Sequence, residues 1–238
     1  MADLLTIVRQ SCRLLSLEPP DEVVDSPDAQ VQLLYQLAIE EGEELSTNGD
    51  KDWQVLTQQK IFYTVADPVQ VDAVPDDLDH FIDNSFFNRT TRLQMVGPIT
   101  PQMWQAIQAQ PQLNLVYLAF RQRDGAFLIT PTPAADNEIA YEYVSKNYVQ
   151  AANGDLKATF TADTDTPLLP DVLFRLGIRW RFLKSKGLDY SQDFDTYQRQ
   201  VQQMMSRDGG ATKLDVTGRT LYNSFGFPNL PLGNFPGG

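Results

Sequence analysis

Four stretches of this chain repeat apolar side chains every three to four residues, and the region between the second and the third alternates with a period of two. The first stripe is Leu4, Leu5, Val8, Cys12 and Leu15. The second is Val31, Leu34, Ala38 and Leu45, with Leu33 and Leu37 alongside. The third is Leu173, Leu176, Trp180 and Leu183, and the fourth is Tyr190, Phe194, Tyr197, Val201 and Met204. A helix with one apolar stripe must cover it with another element. The simplest arrangement packs the four helices together and lets the middle of the chain leave and return. A chain of 238 residues has room for that as one large domain or two small ones.

Local signals set the boundaries. The prolines of LEPPDEVVDSPD separate the first two helices. Ser26-Pro27-Asp28 reads as a helix start, with Ser26 as N-cap, Pro27 at the first helical position and Asp28 near the positive end. Thr47-Asn48-Gly49 ends that helix, and the two helices read as an antiparallel pair. Leu169-Pro170-Asp171 opens the third helix and Gly187 stops it, while Asp208-Gly209-Gly210 closes the fourth. In the middle, Ile61, Tyr63 and Val65 alternate with Phe62 and Thr64. Leu115–Phe120, Ala126–Thr130 and Ile139–Val149 read as further strands, with Ile139, Tyr141 and Tyr143 on one face. Arg123-Asp124-Gly125 is a hairpin turn, and Thr100-Pro101 starts a short helix carrying Met103, Trp104 and Ile107. Residues 76–88 suit helix or loop equally. The fold class is therefore α+β: an antiparallel helical bundle from residues 1–50 and 168–208, an inserted β-rich domain over 51–167, and an extended tail over 209–238.

The tail differs in kind. Its last 28 residues hold five glycines and three prolines beside three phenylalanines, and show no periodicity. Such a segment does not offset its own ordering entropy. Leu221, Tyr222, Phe225, Phe227, Leu230, Leu232 and Phe235 suit a peptide that docks on a partner.

Charge is both unbalanced and segregated. Nineteen basic residues against thirty-one acidic ones give −12 at neutral pH, the opposite of what phosphate neutralisation requires. Residues 14–50 contain ten acids and no Lys or Arg, and residues 172–207 contain seven basic residues against three acids. Two readings follow. The two faces pair within one chain, or they meet head to tail between subunits, Glu40, Glu41, Glu43 and Glu44 of one facing Arg175, Arg179 and Lys186 of the next.

Catalytic signatures are sparse. A single cysteine, Cys12, excludes an internal disulfide and a Cys-based zinc cluster, and a single histidine, His80, excludes a two-His metal site. Phosphate-binding glycine loops and nucleophile motifs are missing from the sequence. Asp163 and Asp165 could work as an acid–base pair, but their place before a proline and a helix suits turn and cap duty better. His80 lies among aspartates in DDLDHFIDN with no nucleophile nearby in sequence. Cys12, Trp53, Trp104 and Trp180 read as core residues. The expectation is a non-enzymatic protein without cofactor or metal. The start of the chain carries no secretory pattern, and no run is long and apolar enough to span a bilayer, so no membrane association is expected.

The order of these features resembles the head-to-tail adaptor (connector) proteins of tailed bacteriophages. The resemblance rests on the acidic N-terminal helix pair, the strand-rich middle with Arg123-Asp124-Gly125 before FLITPTP and then IAYEYVSK, and above all FTADTDTPLLPDVLFRLGIRWRFLKSKGLDY from Phe160 to Tyr190. It covers about residues 1–208. It implies a structural virion protein, made in the host cytoplasm, that forms a dodecameric ring beneath the portal protein. Such a ring extends the DNA channel without sequence-specific binding and offers an attachment site to a tail or nozzle protein. It also implies that the C-terminal extension docks on the portal. The large β-rich insertion departs from the smallest members of that family. Two other readings stay open: a monomeric binding module using the β-rich region, and an acid–base hydrolase using Asp163 and Asp165 or the aspartate cluster around His80.

Overall fold

The computed structural model describes residues 2–47, 52–109 and 117–209. All seven portal-docking residues named above, Leu221 to Phe235, lie outside the described residues. In chain order the elements are α1 (Leu4–Leu14), α2 (Ala29–Ser46), β1 (Thr57–Tyr63), β2 (Val69–Gln70), β3 (Leu78–Phe81), β4 (Phe87–Asn88), β5 (Leu93–Gln94), α3 (Pro101–Gln108), β6 (Ala119–Arg123), β7 (Ala126–Thr130), β8 (Glu138–Ser145), β9 (Val149–Gln150), β10 (Leu156–Lys157), β11 (Thr166–Pro167), α4 (Asp171–Ser185) and α5 (Ser191–Asp208). The mixture of helices with antiparallel sheets is the α+β class read from the sequence.

The chain divides into two compact units. Among the described residues, one comprises those up to Thr57 together with those from Ser145 onward, and the other comprises those from Gln58 to Val144. Residues 52–57 and 145–167, assigned from the sequence to the β-rich region, thus belong with the helices. The reason is the small sheet β10-β9-β11, too short to stand alone, whose ends carry buried Tyr148, Phe160 and Leu169. Gly42 of α2 makes room for one of them: a Cβ there would overlap the Tyr148 ring.

In the helical unit α4 packs against α1, α2 and α5. That position corrects the sequence reading of α4. A helix touching three others buries more than one stripe. Leu173, Phe174, Gly177, Ile178, Trp180, Arg181 and Phe182 are all buried, while Leu176 and Leu183 are only half-buried. On α5, Tyr197, Val201 and Met205 are buried, with Phe194 and Met204 half-buried. The Trp180 ring lies 5.0 Å from Phe194 and 6.0 Å from Tyr197. α2 starts two residues later than expected. Asp28, not Ser26, is the cap, and its carboxylate accepts from the Gln30 N–H at 2.8 Å. Ser26 instead serves the turn before it, its Oγ accepting from the Asp28 N–H at 3.4 Å. Gly187, at φ +68°, leaves α4 through a left-handed residue as its sequence position suggested.

The second unit has a sheet in the order β1-β8-β4-β5, with β3 also on β8, and a three-stranded sheet β2-β7-β6. The two share one core of Phe62, Phe86, Phe120, Phe127, Ile129, Ile139, Tyr141 and Tyr143, with Met95 and Ala73. Phe86 and Tyr141 stack at 4.5 Å. The hairpin β6–β7 closes through Asp124 and Gly125, both at positive φ, which is the two-residue turn that an Asp-Gly pair favours. Ile139, Tyr141 and Tyr143 share the inner face of β8 as expected. Elsewhere the sequence reading needs correction. Residues 76–88 contain β3 and β4. β8 stops at Ser145 rather than running to Val149. The strand expected from Leu115 begins at Ala119; residues 115 and 116 lie outside the described residues. Trp53 and Trp180 are core residues, but α3 buries none of its side chains and Trp104 is half-exposed.

Candidate functional site

The acidic and basic segments meet inside the helical unit. α2 carries its acids on its C-terminal half, and Glu41 falls in register with Leu34, Ala38 and Leu45, so it enters the core with them. Gly177 of α4 provides the space, since a Cβ there would overlap the Glu41 carboxylate. Arg181, one turn further along α4, is buried and pairs with both Glu41 and Glu44, while Glu40 approaches its Nε at 4.0 Å. The guanidinium also lies 4.5 Å from the Trp180 ring centre and 6.0 Å from that of Tyr197. Burial pushes the Glu41 carboxyl up to about 7, against the downward pull of Arg181. Burial also raises the Tyr197 hydroxyl, and the neighbouring Glu41 charge adds to it. Arg181 is held above its ordinary value because Glu41 and Glu44 outweigh its own desolvation. The cluster joins α2, α4 and α5 through one cation.

The remaining proposed charge-pairing residues are scattered. Arg179 pairs with Asp193 of α5 at 3.2 Å. Lys186 is exposed, its Nζ 5.3 Å from the Phe182 ring centre. Glu40 and Glu43 are exposed, and Arg175 is half-buried with its Nε shielded from solvent. Glu40, Glu41, Glu44 and Arg179 therefore have partners within the chain, as in the first of the two readings of charge segregation. In the sequence Arg181 is one of the seven basic residues of 172–207, with no spacing or motif that sets it apart. The available signal was Glu41: an acid at a stripe position demands a buried cation.

Asp163 and Asp165 stand two residues apart but serve different donors. Asp163 accepts the N–H groups of Val23 at 3.0 Å and Val24 at 2.9 Å. Asp165 is buried and accepts from the N–H groups of Thr161 at 2.7 Å and Ala162 at 3.0 Å and from Lys157 Nζ at 3.0 Å. Burial alone would raise the Asp165 carboxyl, but those N–H groups and Lys157 hold it below its ordinary value. The backbone carbonyls of the same two residues receive the first helical N–H groups of α1, Leu5 at 3.2 Å and Leu4 at 2.9 Å. The turn thus caps α1 and anchors the loop before α2. His80 pairs with Asp79 at 2.7 Å on the surface of the second unit.

Among the described residues, no group of three or more His, Cys, Asp or Glu side chains could hold a metal ion, and no helix is long and apolar enough to cross a membrane. No family model matches the chain, and no curated protein is similar to it.

Proposed function

We propose that the chain is a head-to-tail adaptor of a tailed bacteriophage: a structural subunit that forms a ring, dodecameric by family resemblance, beneath the portal and continues the DNA channel towards the tail. In this reading the helical unit is the antiparallel bundle of such adaptors, the second unit is its β-rich insertion, and the C-terminal segment carrying Leu221, Tyr222, Phe225, Phe227, Leu230, Leu232 and Phe235 binds the portal.

One observation carries it. The segment from Phe160 to Tyr190, on which the resemblance rests most, organises the helical unit: its turn at Asp163–Asp165 caps α1, and its helix α4 touches the other three. The charge is compatible. A ring of strongly acidic subunits repels phosphate, so DNA slides through without being held. The hydrolase reading that uses Asp163 and Asp165 loses support, because both carboxylates are engaged with backbone N–H groups.

The test is recruitment by portal particles. The full chain should co-sediment with them in a ring whose copy number and symmetry are countable by electron microscopy. A chain lacking residues 211–238 should stay folded and fail to bind. A protein that remains monomeric and unbound beside portal particles would favour the binding-module reading instead.

A further inference from the structure

The second unit leaves apolar side chains in water at two places, and the sheet topology puts them at opposite edges. On one side the strands β1 and β2 are each the end strand of their sheet. β1 turns Phe62 inward and Ile61 and Tyr63 outward, with Tyr63 64% exposed, and Val65 just beyond the strand is exposed too. Val69 of β2 and Val71 just after it are exposed as well, and the Gln70 side chain ties this segment to Val65 through the Val65 N–H at 2.8 Å. On the other side β5 and β6 are the opposite end strands. The chain between them runs beside β6, with Val96 N–H to Leu118 O at 2.9 Å and Ile99 N–H to Phe120 O at 2.9 Å, and then forms α3. Here Val96, Met103 and Tyr117 are exposed, Met103 by 50%, and Trp104 and Ile107 are only half-covered.

We infer that these two patches are complementary halves of a contact between copies of this chain, the α3 face of one second unit seated on the outward face of β1 and β2 of the next. Charge identifies the occupant. Two copies of a chain with net charge −12 repel each other, and close approach is cheapest where neither surface is charged. From Leu93 to Phe120 the sequence has no charged residue at all, and from Thr57 to Val71 it has only Lys60 and Asp67, which are opposite in sign. Such neutral segments in an acidic protein suit a partner that is itself acidic, and exposed Met and Tyr are side chains that interface centres use. Two different patches at opposite edges make the contact heterologous, and a heterologous contact that closes gives a ring. The inference rests on the adaptor reading for the ring but not for the contact itself.

Cross-linking between variants of the full chain that each add one surface cysteine tests it. Cys12 is buried, so its background is low. Tyr63→Cys and Met103→Cys chains, mixed at high concentration and treated with a short bismaleimide, should give covalent dimers. Either variant alone should give about tenfold less. A chain carrying both changes should give a ladder of oligomers. Adding Trp104→Asp to the Met103→Cys chain should cut the mixed cross-link about tenfold without changing the thermal midpoint. Strong cross-linking of Tyr63→Cys alone would overturn the inference in favour of a two-fold strand pairing. Absence of the mixed cross-link would overturn it too, whether the chain is monomeric or associates through another face. If portal particles still recruit a ring without that cross-link, the adaptor reading stands and this contact falls. If the cross-link forms and portal particles recruit nothing, the contact stands and the adaptor reading falls.

Discussion

The two units solve the burial problem in opposite ways. The helical unit turns inward. Its central helix is covered on three sides, it brings a glutamate and an arginine into the core, and it uses glycines at positions 42 and 177 to let a tyrosine ring and a carboxylate approach the helices. The second unit has an aromatic cluster at its centre, with the Tyr141 hydroxyl donating to the Ala73 carbonyl, and leaves Ile61, Tyr63, Val71 and Met103 in solvent. One region brings an ion pair into its interior; the core cluster of the other holds no charged group, and its edges are apolar. Stability and association should therefore be governed by different residues.

The comparison breaks most visibly at the centre of the helical unit. Trp180→Ala should cost about 3–5 kcal/mol in chemical denaturation, since the ring fills the space between α4 and α5. Glu41→Ala should come close to it, at about 3–5 kcal/mol, because the buried Arg181 then keeps only its exposed partners Glu44 and Glu40. If either variant unfolds like the wild type, the cluster is not what holds these helices.

pH sharpens the contrast by sign. Glu41 has a folded value near 7, raised from an ordinary 4.5 by burial, so its contribution is full below about 4.5 and fades as pH rises through about 7. The loss should be on the order of 3 kcal/mol, and Glu41→Gln should flatten it. Asp165 behaves oppositely, as its lowered value makes its contribution present at neutral pH and lost under acid. Asp165→Asn should remove that acid-side loss and cost about 1.5–3 kcal/mol at neutral pH. Thermal midpoints followed across pH for the three proteins separate the two effects.

Smaller changes lie at the surface. Arg179→Ala removes a half-exposed pair with Asp193 and should cost about 0.2–1 kcal/mol. Tyr63→Asp should alter the unfolding free energy by no more than about 0.5 kcal/mol, because the side chain faces solvent in the isolated chain. A large loss there would mean that this edge belongs to the core, and the contrast between the units would dissolve.

Legibility followed the range of each interaction. The hairpin at Asp124-Gly125, the Thr100 cap whose Oγ accepts from the Met103 N–H at 3.2 Å, and the end of α4 at Gly187 all depend on backbone preferences within a few residues. They could be read directly. β3 and β4 could not, because DDLDHFIDNSFFN has no clear period and takes its strand form from pairing with β8, far along the chain. The site was half-legible. The opposite charges of α2 and α4 were visible, but whether they meet within a chain or between chains was not.

What the sequence by itself determined, then, is local: which segments are helical, which alternate, where the turns fall, and that acid and base are kept apart. Those properties come from side-chain spacing and backbone sterics, which act over neighbouring residues. Only the tertiary structure decided that Arg181 rather than Arg175 takes the buried acid, that residues 145–167 join the helices, and that the outward alternation of β1 is the one left in water. Each of those depends on which surfaces come together in three dimensions; the local pattern marks Glu41 as an acid in need of a buried cation but does not say which of the distant ones supplies it.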